Sequence, residues 1–278
     1  MSVVSMFVDN TESDRAALRC AITLATKCQR PLDVVCALPD AAMAPTYVGG
    51  AFSFGMGMIS MDAILEAEKA LEDKTRLAFE EIVTQKGFPT AQATFVRASG
   101  MPESAAADQA VLADAIVFSG AASRGEHILS PAFFQVLMHS RLPVISAGGN
   151  EPDFKTAIIA WDGSNEVARS VAQHAKIIAA HERVIVAQSE KGLKTKDRRT
   201  AHEPGRLVSW LSGRGVEATI QVFDGSPGSG LLQLAQSEGA GIIVSGAYGR
   251  SRAGEFLFGG VTKTLLNAED RPALALSH

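Results

Sequence analysis

The sequence has little cysteine and no excess of basic charge. Only three cysteines occur among 278 residues, Cys20, Cys28 and Cys36, and they lack metal or CxxC spacing. They therefore predict buried, small apolar side chains rather than a metal or redox site. The formal net charge of −4 argues against a general nucleic-acid binder, because such proteins usually carry a basic excess.

Long apolar runs are also missing. No stretch reaches the roughly 18 residues needed to cross a bilayer, and residues 1–5 lack the basic start and the cleavage site of a signal peptide. We therefore expect a cytoplasmic protein without membrane contact. His174, His181 and His202 are scattered without metal spacing, and no metal site is predicted.

The chain does contain an internal repeat. An apolar strand, a terminal Asp and a small capping residue occur at residues 3–11 and again at residues 157–164. An amphipathic helix and a second strand come next in both places. Later strands also correspond, and each half alternates strand and helix about five times. Between them, residues 148–153 are polar, rich in turn formers and typical of a short linker.

Helix-length crossovers between apolar strands demand a parallel sheet that is covered on both faces. The sequence therefore predicts an α/β fold with two similar domains, 1–150 and 151–278. Each is expected to be an open five-stranded parallel sheet with helices on both faces.

A glycine pattern near the end of the chain is the strongest clue to a ligand. Gly246 and Gly249 come after an apolar run that predicts a buried strand, and Gly259 and Gly260 precede a predicted helix over residues 261–266. Glycines allow close backbone approach, and the first-turn amides of a helix attract anions. The pattern predicts a phosphate site, although tight turns without any ligand remain an alternative.

The second half resembles the universal stress protein (UspA-like) family, and the whole chain resembles its tandem form. Nucleotide-binding members carry Gly, two residues, Gly, nine residues, then Gly and Ser or Thr. Gly246, Gly249 and Gly259 fit this motif, and Val261 and Thr262 fit the positions after it. Gly260 departs from it, because glycine offers no hydroxyl to a phosphate. The loss of that donor could weaken ATP binding by about 1 to 2 kcal/mol, roughly tenfold, unless a neighbour such as Thr262, Lys263 or Arg250 compensates.

The resemblance implies further contacts with an adenine nucleotide. Asp162, preceded by Ala160 and Trp161, would contact the sugar or base, and the backbone near Val186 or Ala187 would contact adenine. A capping or turn role is the alternative for Asp162. The implied ligand is ATP, with or without Mg²⁺. The resemblance also implies that the two domains pair through their last strands, residues 142–146 against 273–276, and it leaves a homodimer open.

The first half departs further from the family motif. Gly120 is present, but Ser123 replaces the next glycine, and Ser130 and Pro131 replace the later pair. Proline has no amide hydrogen to donate. We therefore expect a degenerate nucleotide site in residues 1–150 although Asp9 remains, and a structural role for that domain.

Two segments have open roles. The uncharged segment 43–61 could cover a cleft, bind a partner, line a dimer contact, or fold onto its own domain. The lysines and arginines of residues 191–199 form a basic run that could be solvated or could face phosphate.

Enzyme motifs are absent. There is no GxGxxG or catalytic triad, and Gly260 stands where a Walker-type lysine would be. The sequence therefore predicts a stress-response regulator that binds an adenine nucleotide, and slow hydrolysis around Asp162 and Mg²⁺ stays open. A scaffold that binds no nucleotide is the second hypothesis and a nucleotide-consuming enzyme the third.

Overall fold

A computed structural model describes residues 2–38, 61–98, 100–190, 203–247 and 260–278. These residues form one ten-stranded sheet with helices on both faces. The strands are β1 (Val3–Met6), β2 (Leu32–Ala37), β3 (Ala93–Ala98), β4 (Ala115–Phe118), β5 (Val144–Ser146), β6 (Thr156–Ala160), β7 (Arg183–Ser189), β8 (Ala218–Phe223), β9 (Ala240–Gly246) and β10 (Ala273–Ser277). The α-helices are α1 (Glu12–Cys28), α2 (Met61–Gln85), α3 (Pro102–Ala110), α4 (Gly120–Arg124), α5 (Ser130–Phe134), α6 (Asn165–Gln173), α7 (Ala175–Ala179), α8 (Pro204–Ser212), α9 (Pro227–Ser237) and α10 (Gly260–Asn267).

The two halves of the sheet have the same strand order. The full order is β3-β2-β1-β4-β5-β10-β9-β6-β7-β8, and the pairs within each half are parallel. The predicted α/β class and the parallel five-stranded pattern of each half are therefore confirmed. In an open sheet of this order, ligands are expected beyond the carboxyl ends of the central strands.

The halves meet through their last strands. β5 and β10 pair antiparallel, with Ile145 opposite Ala275, so the two half-sheets form one continuous sheet. The structure thus shows the pairing that the family resemblance implies for residues 142–146 and 273–276. The segment between the halves is tightly packed, because a Cβ at Gly148 would lie 2.2 Å from the carbonyl oxygen of Arg271.

The helix starts result from capping chemistry. The amide of Thr11 donates to Asp14 Oδ2 at 2.9 Å before α1, and Ser164 Oγ accepts from the amide of Val167 before α6. Pro102 and Pro227 occupy the first turns of α3 and α9, where a missing amide hydrogen costs little. These local signals place the first helix of each half just beyond the carboxyl end of its first strand.

The core forms two layers that cross the boundary between the halves. One layer joins Leu18 and Ile22 of α1 to Val171 of α6, and the other joins Phe133 of α5 to Leu265 of α10. Cys20 and Cys36 are buried within these layers, and burial raises the pKa of the Cys20 thiol to about 12. Such thiols are poor nucleophiles at neutral pH, in agreement with the packing role predicted for them. Cys28 is only partly buried, so the prediction of burial holds for two of the three cysteines. Among the described residues, no helix is long and apolar enough to cross a membrane.

Candidate functional site

A cleft of about 250 Å³ opens at the carboxyl ends of the second-half strands. Strands β6, β7, β8 and β9 end there, and helices α6, α9 and α10 begin there. The cleft is lined by Ala160, Trp161, Asp162, Ser164, Glu166, Val167, Ala187, Ser189, Phe223, Pro227, Leu231, Ser245, Gly246, Gly260, Val261 and Thr262. It lies where ligands of open parallel sheets are expected. Eight of the sequence-predicted residues line it: Ala160, Trp161, Asp162, Ala187, Gly246, Gly260, Val261 and Thr262.

Asp162 has a role in the local backbone and also faces the cleft. Its Oδ1 accepts from the amide of Ser164 at 2.9 Å, which is the turn role considered as an alternative. The residue is nevertheless exposed and lines the cleft. Because a carboxylate accepts at both oxygens, the turn bond leaves Oδ2 able to accept from a ligand.

The wall next to Asp162 is formed by the ends of β6 and β7. The amide of Trp161 donates to the carbonyl of Ala187 at 2.9 Å, and Ala160 is the strand partner of Ala187. Ala187 lines the cleft, whereas the Val186 side chain lies in the core on the opposite face of the sheet. The buried Trp161 Nε1 has no hydrogen-bond partner among the described residues.

The predicted glycines differ in what surrounds them. A Cβ at Gly246 would lie 2.7 Å from the amide nitrogen of Val167, so this glycine lets α6 pack on the end of β9. Gly260 is exposed, and no described atom lies within 4 Å of a Cβ built there. Gly249 and Gly259 lie outside the described residues, as do Arg250, segment 43–60 and basic residues 191–199.

The start of α10 forms the other side of the cleft. Gly260, Val261 and Thr262 make up its first turn and line the cleft, and Thr262 is buried there. First-turn amides have no partner within their own helix, and the helix dipole favours negative charge next to them. This edge of the cleft is therefore suited to a phosphate group.

The charges of the described lining residues are acidic. Asp162 and Glu166 are the ionisable side chains among them, and Glu166 Oε2 is buried without a hydrogen-bond partner in the described part of the chain. A phosphate bound there would need backbone amides, Lys263 beside Thr262, or a cation that neutralises both the phosphate and the carboxylates. Within the described residues, no three His, Cys, Asp or Glu side chains form a metal-binding group.

Several lining residues were not predicted from the sequence. Phe223 at the end of β8 and Leu231 of α9 give the cleft an apolar wall, and Ser189 and Ser245 add hydroxyls. The strand-turn-helix pattern before Pro227 was the one signal that could have located Phe223 and Leu231. Their approach to Asp162 depends on the order of the strands and could not be read from local spacing.

In the first half, the carboxylate that corresponds to Asp162 is paired with protein side chains. Asp9 is buried, and Arg15 forms an ion pair with its Oδ1 at 2.8 Å. Thr75 accepts from the Asp9 amide at 3.2 Å, and Lys74 donates to the Asp9 carbonyl. Since these partners come from α1 and α2, the carboxylate that matches Asp162 is already paired.

A second buried pair lies near Ser119 of the first half. His127 Nε2 and Asp14 Oδ2 are 3.2 Å apart, and both side chains are almost completely buried. Although burial opposes ionisation, His127, Thr11 and Ser119 together lower the pKa of Asp14 below its ordinary value.

Comparisons with known proteins agree with this architecture. Residues 154–276 match the model of the Universal stress protein family. A search of curated sequences finds no significant match. A universal stress protein from Archaeoglobus fulgidus DSM 4304 aligns over 99% of this chain and 97% of its own, with a TM-score of 0.66 and 12% identity.

Two further solved structures are similar. A functionally unknown protein from Pseudomonas aeruginosa PAO1 covers 100% of this chain and 92% of its own, with a TM-score of 0.55 and 14% identity. A universal stress protein in complex with cAMP covers 45% of this chain and 97% of its own, with a TM-score of 0.34 and 20% identity.

The family model covers residues 154–276, so the match concerns the C-terminal half of the chain. Because the N-terminal half repeats its strand order and a relative of similar length covers nearly the whole chain, the protein has the tandem form of this fold.

Proposed function

We propose that the second half binds an adenine nucleotide, ATP, and that binding regulates the shape or the association of a cytoplasmic stress-response protein. The observation that carries this proposal is the cleft itself. It combines an apolar wall, an exposed carboxylate at the end of a central strand and the first turn of a helix. These three features suit a base, a sugar and a phosphate in that order.

The base would lie against Ala187, Phe223 and Leu231. These side chains provide apolar surface, and the backbone at the end of β7 would supply the polar contact that orients adenine. Asp162 Oδ2 would accept from a ribose hydroxyl, since Oδ1 is already bonded to the Ser164 amide.

The phosphates would lie at the first turn of α10. The amides of Gly260 and Val261 are suitable donors, and Thr262 adds a hydroxyl. Gly249 and Gly259 would complete the phosphate turn. A Mg²⁺ ion bound with ATP would offset the negative charges of Asp162 and Glu166, whose oxygens are the type of ligand that this cation prefers.

We further propose that residues 1–150 have lost their site and that residues 151–278 hold the single working one. The first-half carboxylate Asp9 is paired with Arg15, and the Asp14 carboxylate is buried against His127. A nucleotide would have to break both arrangements before it could bind. The first domain then acts structurally, as the partner of the second along β5 and β10.

Regulation fits the cleft better than rapid turnover. Phosphoryl transfer depends on positioned cations, and the described lining residues contribute carboxylates instead. One observation favours a second candidate, a scaffold that binds no nucleotide. Gly260 lacks the hydroxyl that binding members of the family place at this position.

The test is an ATP titration by calorimetry of the wild type and of Asp162→Ala. Asp153→Ala is a matched control, because Asp153 Oδ1 also accepts from the amide two residues later, that of Lys155, and Asp153 does not line the cleft. Both variants therefore lose one turn bond. We expect ATP affinity to fall at least about tenfold in Asp162→Ala and to stay unchanged in Asp153→Ala. Equal affinity in both variants would contradict the proposal and favour the scaffold.

A further inference from the structure

Arg271 is a buried cation at the junction of the two halves. It is 2% exposed and lies between α10 and β10. Its Nη1 donates to the carbonyls of Ser146 at 3.2 Å and Pro272 at 3.1 Å, and its Nη2 donates to Ser146 Oγ at 2.6 Å. These acceptors are neutral, and no carboxylate of the described residues forms an ion pair with this guanidinium.

The guanidinium also retains an unused donor. Arg271 Nε is buried and has no hydrogen-bond partner within the described ranges. A buried charge is stable when it is paired and when its donors are satisfied. The described groups around Arg271 therefore satisfy some of its donors, but none of them is an anion that would neutralise its charge.

A second guanidinium approaches the same place. A Cβ built on Gly120 would lie 3.3 Å from Arg124 Nη1 and 3.7 Å from Arg271 Nη2, so both arginines lie next to this glycine. Burial, followed by repulsion from Arg124, lowers the pKa of Arg271 to about 9. Arg124 Nε pairs with Glu126 Oε2 at 2.8 Å, so Arg271 is the one of the two that lacks an anionic partner among the described residues.

Space for such an anion is present beside them. A cavity of about 380 Å³ is bordered by Arg124, Arg271, Ser13 and Arg19 and by the glycine backbone of residues 148–149. Two carboxylates, Glu12 and Glu269, also line it, and both are exposed. Glu12 is already paired with Arg19, so it does not neutralise Arg271.

We propose that this cavity binds a phosphate group, which Arg124 of the first half and Arg271 of the second half hold together. Planar guanidinium groups match the oxygens of a phosphate and bind it through charge-assisted hydrogen bonds. The group could be inorganic phosphate or part of a small phosphomonoester, because the cavity is many times larger than a water molecule. The site is separate from the nucleotide cleft and shares none of its lining residues.

Binding at this position would join the two halves. Since the anion contacts residues on both sides of the β5–β10 pair, its binding would stabilise the assembled two-domain form and not the separated halves. The level of a phosphorylated metabolite could in this way affect the stability of the whole chain.

The experiment is a titration of the full-length protein with inorganic phosphate at constant ionic strength, with chloride as the replaced anion. The Nε–Hε NMR signal of Arg271 is the readout, and its assignment comes from its absence in Arg271→Gln. We expect a saturable shift of this signal. In Arg124→Gln the affinity should fall about tenfold. Arg214→Gln should bind like the wild type, because Arg214 stacks on Trp210 away from the junction.

Two further arms define the ligand and separate this site from the cleft. A parallel titration with glycerol 3-phosphate compares a phosphomonoester with the free ion, and saturation by either one supports the site. Asp162→Ala should leave the phosphate response unchanged, whatever it does to ATP binding. The proposal is overturned if the Arg271 signal does not saturate with either probe, or if Arg124→Gln binds as tightly as Arg214→Gln. Arg271 would then be a clamp between the halves and nothing more.

Discussion

At the residue scale, the glycines of the family motif have different physical reasons to be glycine. Gly246 is required by the fold, because the first turn of α6 leaves no room for a side chain. At Gly260 no described atom lies within 4 Å of a built Cβ, so the described part of the fold does not require glycine there. The departure from the motif at Gly260 therefore concerns the groups offered to a ligand rather than packing, and a single substitution can restore the hydroxyl.

We expect Gly260→Ser to increase ATP affinity. No described atom would clash with the added side chain at the first turn of α10. Its hydroxyl could donate to a phosphate, which corresponds to an about tenfold lower dissociation constant. Gly260→Ala is the control, since it changes the backbone preference without adding a donor. Calorimetry that finds the serine and alanine variants equally tight would contradict the assigned phosphate position.

At the element scale, the cleft depends on how closely α6 approaches the end of β9. Ser164 caps α6, Asp162 shapes the turn before it, and Gly246 lets the helix start lie directly on the strand. The same contacts that build the fold thus hold the carboxylate at the edge of the cleft. Loss of ATP binding in a Gly246 variant would therefore not by itself identify a phosphate contact.

We expect Gly246→Ala to destabilise the protein by about 1–3 kcal/mol, because its Cβ would overlap the backbone of α6. Gly213→Ala is the control, since Gly213 has a helical φ of −62° and a Cβ there would meet its nearest atom at 3.6 Å. Urea denaturation measures both. If Gly246→Ala were as stable as the wild type, the close packing of α6 on β9 would be wrong.

At the scale of the whole molecule, the two halves share one sheet and two core layers. The antiparallel β5–β10 pair and the bonds from Arg271 to Ser146 join them directly. Buried apolar side chains of both halves belong to the same two layers, rather than to separate cores. The halves should therefore depend on each other for stability.

We expect a single unfolding transition for the full chain. Because both core layers contain residues of both halves, the loss of one half exposes apolar surface of the other. Calorimetric and van't Hoff enthalpies should agree in a thermal scan. Two resolved transitions would show that the halves unfold independently.

Stability should also depend on pH through buried histidines. Burial lowers the pKa of His174 to about 4 and lowers that of His181, against an ordinary value of 6.5. Between about pH 4 and pH 6.5 the unfolded chain therefore binds more protons than the folded one, so the free energy of unfolding rises with pH. This contribution should be complete above pH 6.5 and fall progressively towards pH 4. Urea titrations of wild type and His174→Gln measure this, and an unchanged pH slope in the variant would contradict the assignment.

The sequence predicts local features well and long-range ones poorly. Strand positions and the caps Thr11 and Ser164 could be read from patterns within a few residues or from the repeat, and the pairing of the last strands came from the family resemblance. The buried contact between Asp14 and His127 could not be predicted, because the two residues lie far apart along the chain. The location of Phe223 in the cleft and the approach of Arg271 to Arg124 likewise depend on the assembled sheet.

The central claim, one adenine nucleotide site in the second half, is tested most directly by what the purified protein carries. Freshly purified full-length chain is denatured under mild conditions, and the released small molecules are quantified by chromatography and mass analysis. We predict about one adenine nucleotide per chain. Two per chain would contradict the loss of the first-half site, and no released nucleotide together with no titratable ATP binding at millimolar concentration would contradict the nucleotide site itself.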